Sequence, residues 1–121
     1  MTNPEAIATD YLAAWNQGDP ARRLDQMAAR WTDDAAYADP LMAANGRTAI
    51  CEMIEKARGQ FPGHAFALRG KPDSHGSFVR FSWDLAPTGG APIAGGTDVV
   101  RLDGQGRIAE VVGFLDHAPG A

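Results

Sequence analysis

The chain has 121 residues and a formal net charge of −4, with its 11 basic residues scattered rather than gathered in a run. That length encloses one core and not two, and that charge balance argues against a nucleic-acid partner. A single cysteine, Cys51, excludes an internal disulfide, and no stretch approaches the roughly 20 apolar residues of a membrane helix. The opening "MTNPEA" has neither the charged nor the apolar region of a secretory signal. One soluble, cytoplasmic domain over 1–121 is expected, with its core at about 5–116.

Thr2 and Asn3 are capping residues and Pro4 suits a first helical turn, after which Ile7, Tyr11, Ala14 and Trp15 recur at helical spacing up to Gly18. Asp19 and Pro20 repeat the start signal, and Leu24, Met27, Ala28 and Trp31 form a second apolar stripe. The stretch "AAYADP", residues 35–40, reads as a short strand ending in an aspartate locked against a proline. Proline holds the residue before it extended, so the Asp39 carboxylate leaves the chain in one reproducible direction. Asn45 and Gly46 then open a third helix with the stripe Ile50, Met53, Ile54 and Ala57, ending near Gly59.

Beyond that helix the period changes to two. Residues 64–70 make a strand before Pro72, and Val79, Phe81, Trp83 and Leu85 alternate with Phe78, Arg80, Ser82 and Asp84. "APTGGAP" turns the chain, and residues 94–103 and 107–115 make two more strands across "DGQG". Helices followed by an antiparallel sheet predict the α+β class. Residues 108–115, "IAEVVGFL", are apolar on nearly both faces. A strand covered on both sides fits that pattern, so a homodimer through the sheet is expected. The residues from His117 onward read as a loose tail.

Three protonatable side chains fall where the pattern predicts apolar surroundings. Tyr11 shares the stripe of Ile7 and Trp15, Asp98 shares strand parity with Val100 and Leu102, and Asp39 ends the "AAYADP" strand. A lone carboxylate at Asp98 would lose its hydration, so it tends to keep its proton and donate. A neutral acid beside a phenol can hold an enolate oxygen, while a separate ionised carboxylate moves a proton at carbon. Structural readings stand beside each: Asp39 as a turn cap, Tyr11 as a core aromatic, and Asp98 as a buried hydrogen-bonding group. Trp15, Ile54, Trp83, Val100 and Val111 are the candidates for lining a pocket around these groups. His64, His75 and His117 lack metal-ligand spacing, and "APTGGAPIAGG" lacks the Lys-Ser or Lys-Thr of a phosphate loop. No metal and no cofactor are expected.

The segments "DYLAAWNQGD", "DDAAYADP", "GRTAICEMI" and "GTDVVRLDGQGRIAEVVGFL" resemble the nuclear transport factor 2-like superfamily. Within it the resemblance is to the ketosteroid isomerases and the SnoaL-like polyketide cyclases, over about residues 5–116. It implies a cone: a curved antiparallel sheet wrapped around N-terminal helices. In the isomerases the chemistry belongs to a phenol in helix one before a "G-D", the aspartate of a "D-P", and an aspartate beginning the strand before the last hairpin turn. Tyr11, Asp39 and Asp98 fall on those positions. The resemblance therefore implies Asp39 as base, with Tyr11 and a neutral Asp98 holding the oxyanion.

Two features depart from the isomerases. The span between "GD" and "DP" is longer by about one helical turn, and Ile54 stands where they carry a supporting tyrosine. Tyr37 is the other phenol here, and its parity matches Asp39. Arg107, Ile108 and Trp83 match the SnoaL-like members. The expected function is cofactor-independent isomerisation or cyclisation of a small apolar carbonyl compound by enolate-type proton transfer. The alternatives are a non-catalytic pocket for an apolar ligand and an assembly domain with a filled cone. Catalysis by the three residues calls for all of them to border one cavity, with Asp39 across a substrate-sized gap from the two donors. An epoxide-hydrolase site, known elsewhere in the superfamily, would need an arginine between two acids, which only Arg80 with Asp84 could begin to supply.

Overall fold

The computed structural model describes residues 3–118. Helix α1 (Pro4–Asn16) begins where the Asn3 side chain accepts the Ala6 N–H at 3.1 Å. Helix α2 (Pro20–Arg30) begins where Asp19 accepts the Ala21 N–H at 2.9 Å. In both, a proline fills the first position, whose N–H has no helical partner in any case. Strands β1 (Trp31–Ala38) and β2 (Ala43–Asn45) follow, then α3 (Arg47–Gly59), β3 (His64–His75), β4 (Phe78–Pro87), β5 (Ala94–Leu102) and β6 (Ile108–His117). No helix among the described residues is long and apolar enough to cross a membrane.

The strands form one curved, open sheet in the order β2-β1-β6-β5-β4-β3, giving the expected α+β cone. Four of its neighbouring pairs are antiparallel, but β1 runs parallel to β6, with Tyr37 beside Val111 and Ala38 beside Val112. A parallel neighbour needs a long return path, and α3 with β3, β4 and β5 supplies it. Trp31 fits the stripe of α2, and its N–H still donates to Met27 O as a helical residue would. Its backbone is extended, however (φ −116°, ψ 148°), so it caps α2 and starts β1. Strand β3 continues past Pro72 to His75 through a register shift between Arg69 and Asp73. The proline is tolerated because β3 is an edge strand. His117, expected to open a loose tail, ends β6; residues 119–121 lie outside the described residues.

The concave face of the sheet carries Val79, Phe81, Leu85, Val100, Leu102 and Val111, all buried. Helix α1 packs on β3 and β4, and α3 on β1 and β2. The end of α1 is held by two arginines. Arg23, fully buried, donates from Nε to Ala14 O at 3.0 Å, from Nη2 to Gln17 O, and from Nη1 to Glu55 Oε1 at 3.0 Å. Arg58 Nη1 donates to Trp15 O at 3.0 Å. Unpaired carbonyls at a helix C-terminus and the negative end of its dipole both favour such cations. The turn of α1 that carries Trp15 is thereby tied to α2 and α3.

Candidate functional site

Tyr11 and Trp15 are four residues apart, so they project from the same face of α1. That face meets Tyr37 from β1, Phe66 from β3, Trp83 from β4 and Asp98 from β5 around a cavity of about 10 Å³, which Leu12 also borders. The rings of its wall meet by edge contacts. Trp15 meets Phe66 with centroids 5.2 Å apart, and Phe66 meets Trp83 at 5.3 Å, both near-perpendicular. Tyr11 lies edge-on to Phe81 at 5.0 Å and stacks on Trp31 at 5.8 Å. Edge-to-face pairing puts positive ring edges on negative faces and fills space without a gap.

Asp98 is 3% exposed on the concave face, opposite Phe81 of β4 and Gly113 of β6. A Cβ at Gly113 would stand 2.9 Å from Asp98 Oδ1 and 3.2 Å from Asp39 Cβ, so the two aspartates flank this glycine and only a bare backbone fits between them. Gly96 plays the same part for Trp83, whose Cζ2 would lie 2.5 Å from an added Cβ. Burial pushes the Asp98 carboxyl up to about 6; polar contact with Tyr11 and Trp83 works against that rise, and the charges of Asp39 and Asp116 add to it. Burial, then the Asp98 and Tyr37 charges, hold the Tyr11 phenol well above its ordinary range. Tyr37 is likewise pushed up, by burial first, then by the charge of Asp98 and its own bond to Asp39.

Among the described residues, the Tyr11 hydroxyl and the Trp15 indole nitrogen are buried without a hydrogen-bond partner. Tyr37 differs: its hydroxyl donates to Asp39 Oδ2 at 2.6 Å. Asp39 Oδ1 accepts the N–H groups of Leu41 at 2.8 Å and Met42 at 2.9 Å, and the Asp39 N–H donates back to Met42 O. Asp39 is thus a turn cap whose other oxygen anchors Tyr37. It does not line the cavity, and the expected substrate-sized gap is occupied by Trp15, Tyr37, Phe66 and Trp83.

Of the five residues expected to line a pocket, Trp15 and Trp83 do so, while Ile54, Val100 and Val111 are fully buried within the core cluster. Leu12, Tyr37 and Phe66 complete the lining. Phe66 could have been found from parity, since it sits opposite Leu85 on the inner face. Arg80 pairs with Asp73 at 3.6 Å instead of Asp84. The arginine between two acids is Arg69, which holds Asp84 at 3.0 Å and also Asp116, but on the convex face.

A family model described as a SnoaL-like domain matches residues 8–111. The chain belongs to the SnoaL-like family. Among solved structures, this SnoaL-like chain is 51% identical to one from Agrobacterium tumefaciens str. C58, described as "a putative isomerase of the SnoaL-like family". The match covers 97% of this chain and 100% of that one, with a TM-score of 0.92. A "putative polyketide cyclase" from Sinorhizobium meliloti shares the fold at 16% identity and a TM-score of 0.70, over 93% of this chain and 99% of that one. A SnoaL-like protein of unknown function from Burkholderia thailandensis E264 does so at 14% identity and a TM-score of 0.74, over 97% and 99%. None of the curated proteins matches this SnoaL-like sequence.

Proposed function

We propose that this SnoaL-like protein is a cofactor-independent isomerase or cyclase that moves a proton on a small apolar carbonyl compound. Asp98 is the proton-transfer group and Tyr11 donates to the carbonyl oxygen. The supporting observation is that a buried carboxyl tuned to about 6 shares one aromatic cavity with an unpartnered phenol. A base works best with a pKa near the operating pH, and a phenol that stays protonated can stabilise an enolate oxygen. Asp39 is not given the base role that the family resemblance implies for it. Its oxygens are engaged by Tyr37, Leu41 and Met42, and it stands behind Tyr37 as a positioning residue. The names of the Agrobacterium and Sinorhizobium relatives support the same reaction class.

A ligand enters only if side chains turn, and Phe66 and Trp83, both half-buried, are the rings free to do so. The test is deuterium exchange at the carbon next to the carbonyl of small cyclic ketones, followed by proton NMR. The wild-type protein is expected to catalyse it and Asp98→Asn to lose it; exchange undiminished in Asp98→Asn sinks the assignment.

A second reading, an assembly domain with a filled cone, draws on how little space the rings leave. The volume of about 10 Å³ is far below the ~300–1,000 Å³ of ordinary ligand pockets. Under that reading the wild-type protein neither binds ketones nor exchanges their protons.

The convex face carries Phe78, Val112 and Phe114, exposed at 43%, 39% and 55%, beside the Arg101–Glu110 pair at 3.2 Å. Apolar side chains next to both signs of charge suit a second copy of the same face related by a twofold axis. We propose that homodimer; Phe114→Asp is expected to halve the mass found by light scattering, and a monomeric wild-type protein would rule the pairing out. Cys51, buried and unbridged, supports a reducing, cytoplasmic location.

A further inference from the structure

We infer that the Trp15 indole N–H is a second donor to the ligand oxygen, sharing one acceptor position with the Tyr11 hydroxyl at the inner end of the aromatic cavity. This rests on the proton-transfer reading above and narrows the ligand it admits. An indole nitrogen can only donate, so unlike a hydroxyl it cannot be satisfied by a donor placed nearby. Trp15 is 5% exposed, and neither its Nε1 nor the Tyr11 hydroxyl makes a hydrogen bond of normal geometry among the described residues, although the Tyr11 oxygen lies near both the indole and Asp98. A buried donor left without an acceptor is destabilising. One oxygen between the two would satisfy both.

The arrangement is built rather than incidental. Tyr11 and Trp15 sit on the same face of α1, and both side chains line the same cavity. The indole approaches closely enough to favour an ionised Tyr11 oxygen, the opposite of what Asp98 does to that phenol. The backbone under Trp15 is tied down by Arg58 at its own carbonyl and by Arg23 at the carbonyls of Ala14 and Gln17. The space, about 10 Å³, is about one water-sized probe sphere, enough for a single oxygen atom. The rest of a ligand must take the places of Phe66 and Trp83, while the oxygen end stays fixed.

The ligand class follows from the donors. It must present an acceptor, as a ketone, enolate or phenolate oxygen does, on a flat apolar body that fits between rings. A ligand with no acceptor atom leaves Trp15 unpaired and is rejected, because specificity of this kind comes from the buried group left without a partner. Trp15 also helps to separate the ketone from its enolate: the oxygen gains negative charge during proton abstraction, and a second N–H aimed at it strengthens as it does.

The probes are 1-indanone and indane, which share a ring system and differ in the oxygen. In 15N-labelled wild-type protein, 1-indanone is expected to move the Trp15 Nε1–H resonance downfield, and indane to leave it in place. Trp15→Phe, which keeps a ring, is expected to weaken 1-indanone binding about tenfold, the loss of one ~1.4 kcal/mol interaction, with indane unchanged. Equal weakening for both probes, an unmoved resonance in the 1-indanone complex, or no 1-indanone binding at millimolar concentration each overturns the inference. If Trp15→Phe fails to fold, the wild-type resonance alone decides. An unmoved resonance together with loss of exchange in Asp98→Asn sinks only the role of Trp15. A moved resonance with exchange intact in Asp98→Asn sinks only the role of Asp98.

Discussion

Thr97 and Asp98 are neighbours on β5 and point to opposite faces of the sheet, and the carboxylates on those faces meet opposite fates. On the convex side Asp116 accepts from the Thr97 hydroxyl at 2.9 Å and pairs with Arg69, which also holds Asp84. The Thr97 hydroxyl first, and then Arg69, keep the Asp116 carboxyl below its ordinary value despite some burial. On the concave side Asp98 has aromatic rings, two polar neighbours in Tyr11 and Trp83 that only partly offset its burial, and the charges of Asp39 and Asp116 against it. One residue's displacement along a strand therefore separates a solvated ionic network from a buried acid whose carboxyl is pushed up to about 6. The pleat sets the chemistry, since parity decides whether a carboxylate meets water and arginine or neither.

That contrast can be broken from the inside first. Asp98→Asn is expected to lower α-proton exchange by at least ~100-fold, the scale of a lost acid–base group. The wild-type rate should rise with pH through a single limb near 6, where Asp98 gives up its proton. Asp98→Glu, placing the carboxylate elsewhere in the cavity, is expected to keep the limb but not the rate.

The same group makes stability depend on pH. Its folded value of about 6 lies above the ordinary 3.8, so the native state holds this proton more tightly than the unfolded chain does. The stabilisation is fully present below pH ~4 and is lost as pH rises through ~6, a difference of about 3 kcal/mol. Urea midpoints at pH 4.5 and 7.5 should show this decline in the wild-type protein and its absence in Asp98→Asn. Equal slopes for the two proteins would mean that Asp98 ionises as freely folded as unfolded.

Gly113→Ala forces a methyl against both Asp98 and Asp39, and is expected to cost about 1–3 kcal/mol, the usual range for overpacking. Thermal melts measure that loss, and exchange should fall as well because Asp98 must move. The smallest effect belongs to the outer face. Arg69→Ala removes a partner from Asp84 and Asp116 where water is at hand, so a loss below about 1 kcal/mol that shrinks further in salt is expected, with exchange unchanged.

Much of this architecture is legible in the sequence. Capping residues and stripes mark the three helices, and parity alone places Asp98 beside Val100 and Leu102 on the buried face. Tyr11 and Trp15 can be read into one site because a four-residue step returns to the same side of a helix. Other features are set by tertiary context. Trp31 obeys the spacing of α2 while its backbone obeys β1, and nothing local announces that β1 will lie parallel to β6.

Asp39 shows a different limit. A proline after it fixes its direction, but not whether Leu41 and Met42 will turn back to meet it. The space between rings is also invisible in a linear chain, because it depends on how Trp15, Phe66 and Trp83 interdigitate across three separate elements. Arg69 escapes notice because its partners lie 15 and 47 residues away.

The arginine collar at the end of α1 has a mechanical implication. Arg23 and Arg58 reach the carbonyls of Ala14, Trp15 and Gln17 from two other helices, and Arg23 does so with no exposed surface. The main chain beneath Trp15 is therefore a fixed abutment, so a ligand entering as proposed would have to displace the half-buried rings of Phe66 and Trp83 on the strands opposite. Accommodation on that reading is one-sided, with the helical wall holding still while the sheet side gives way.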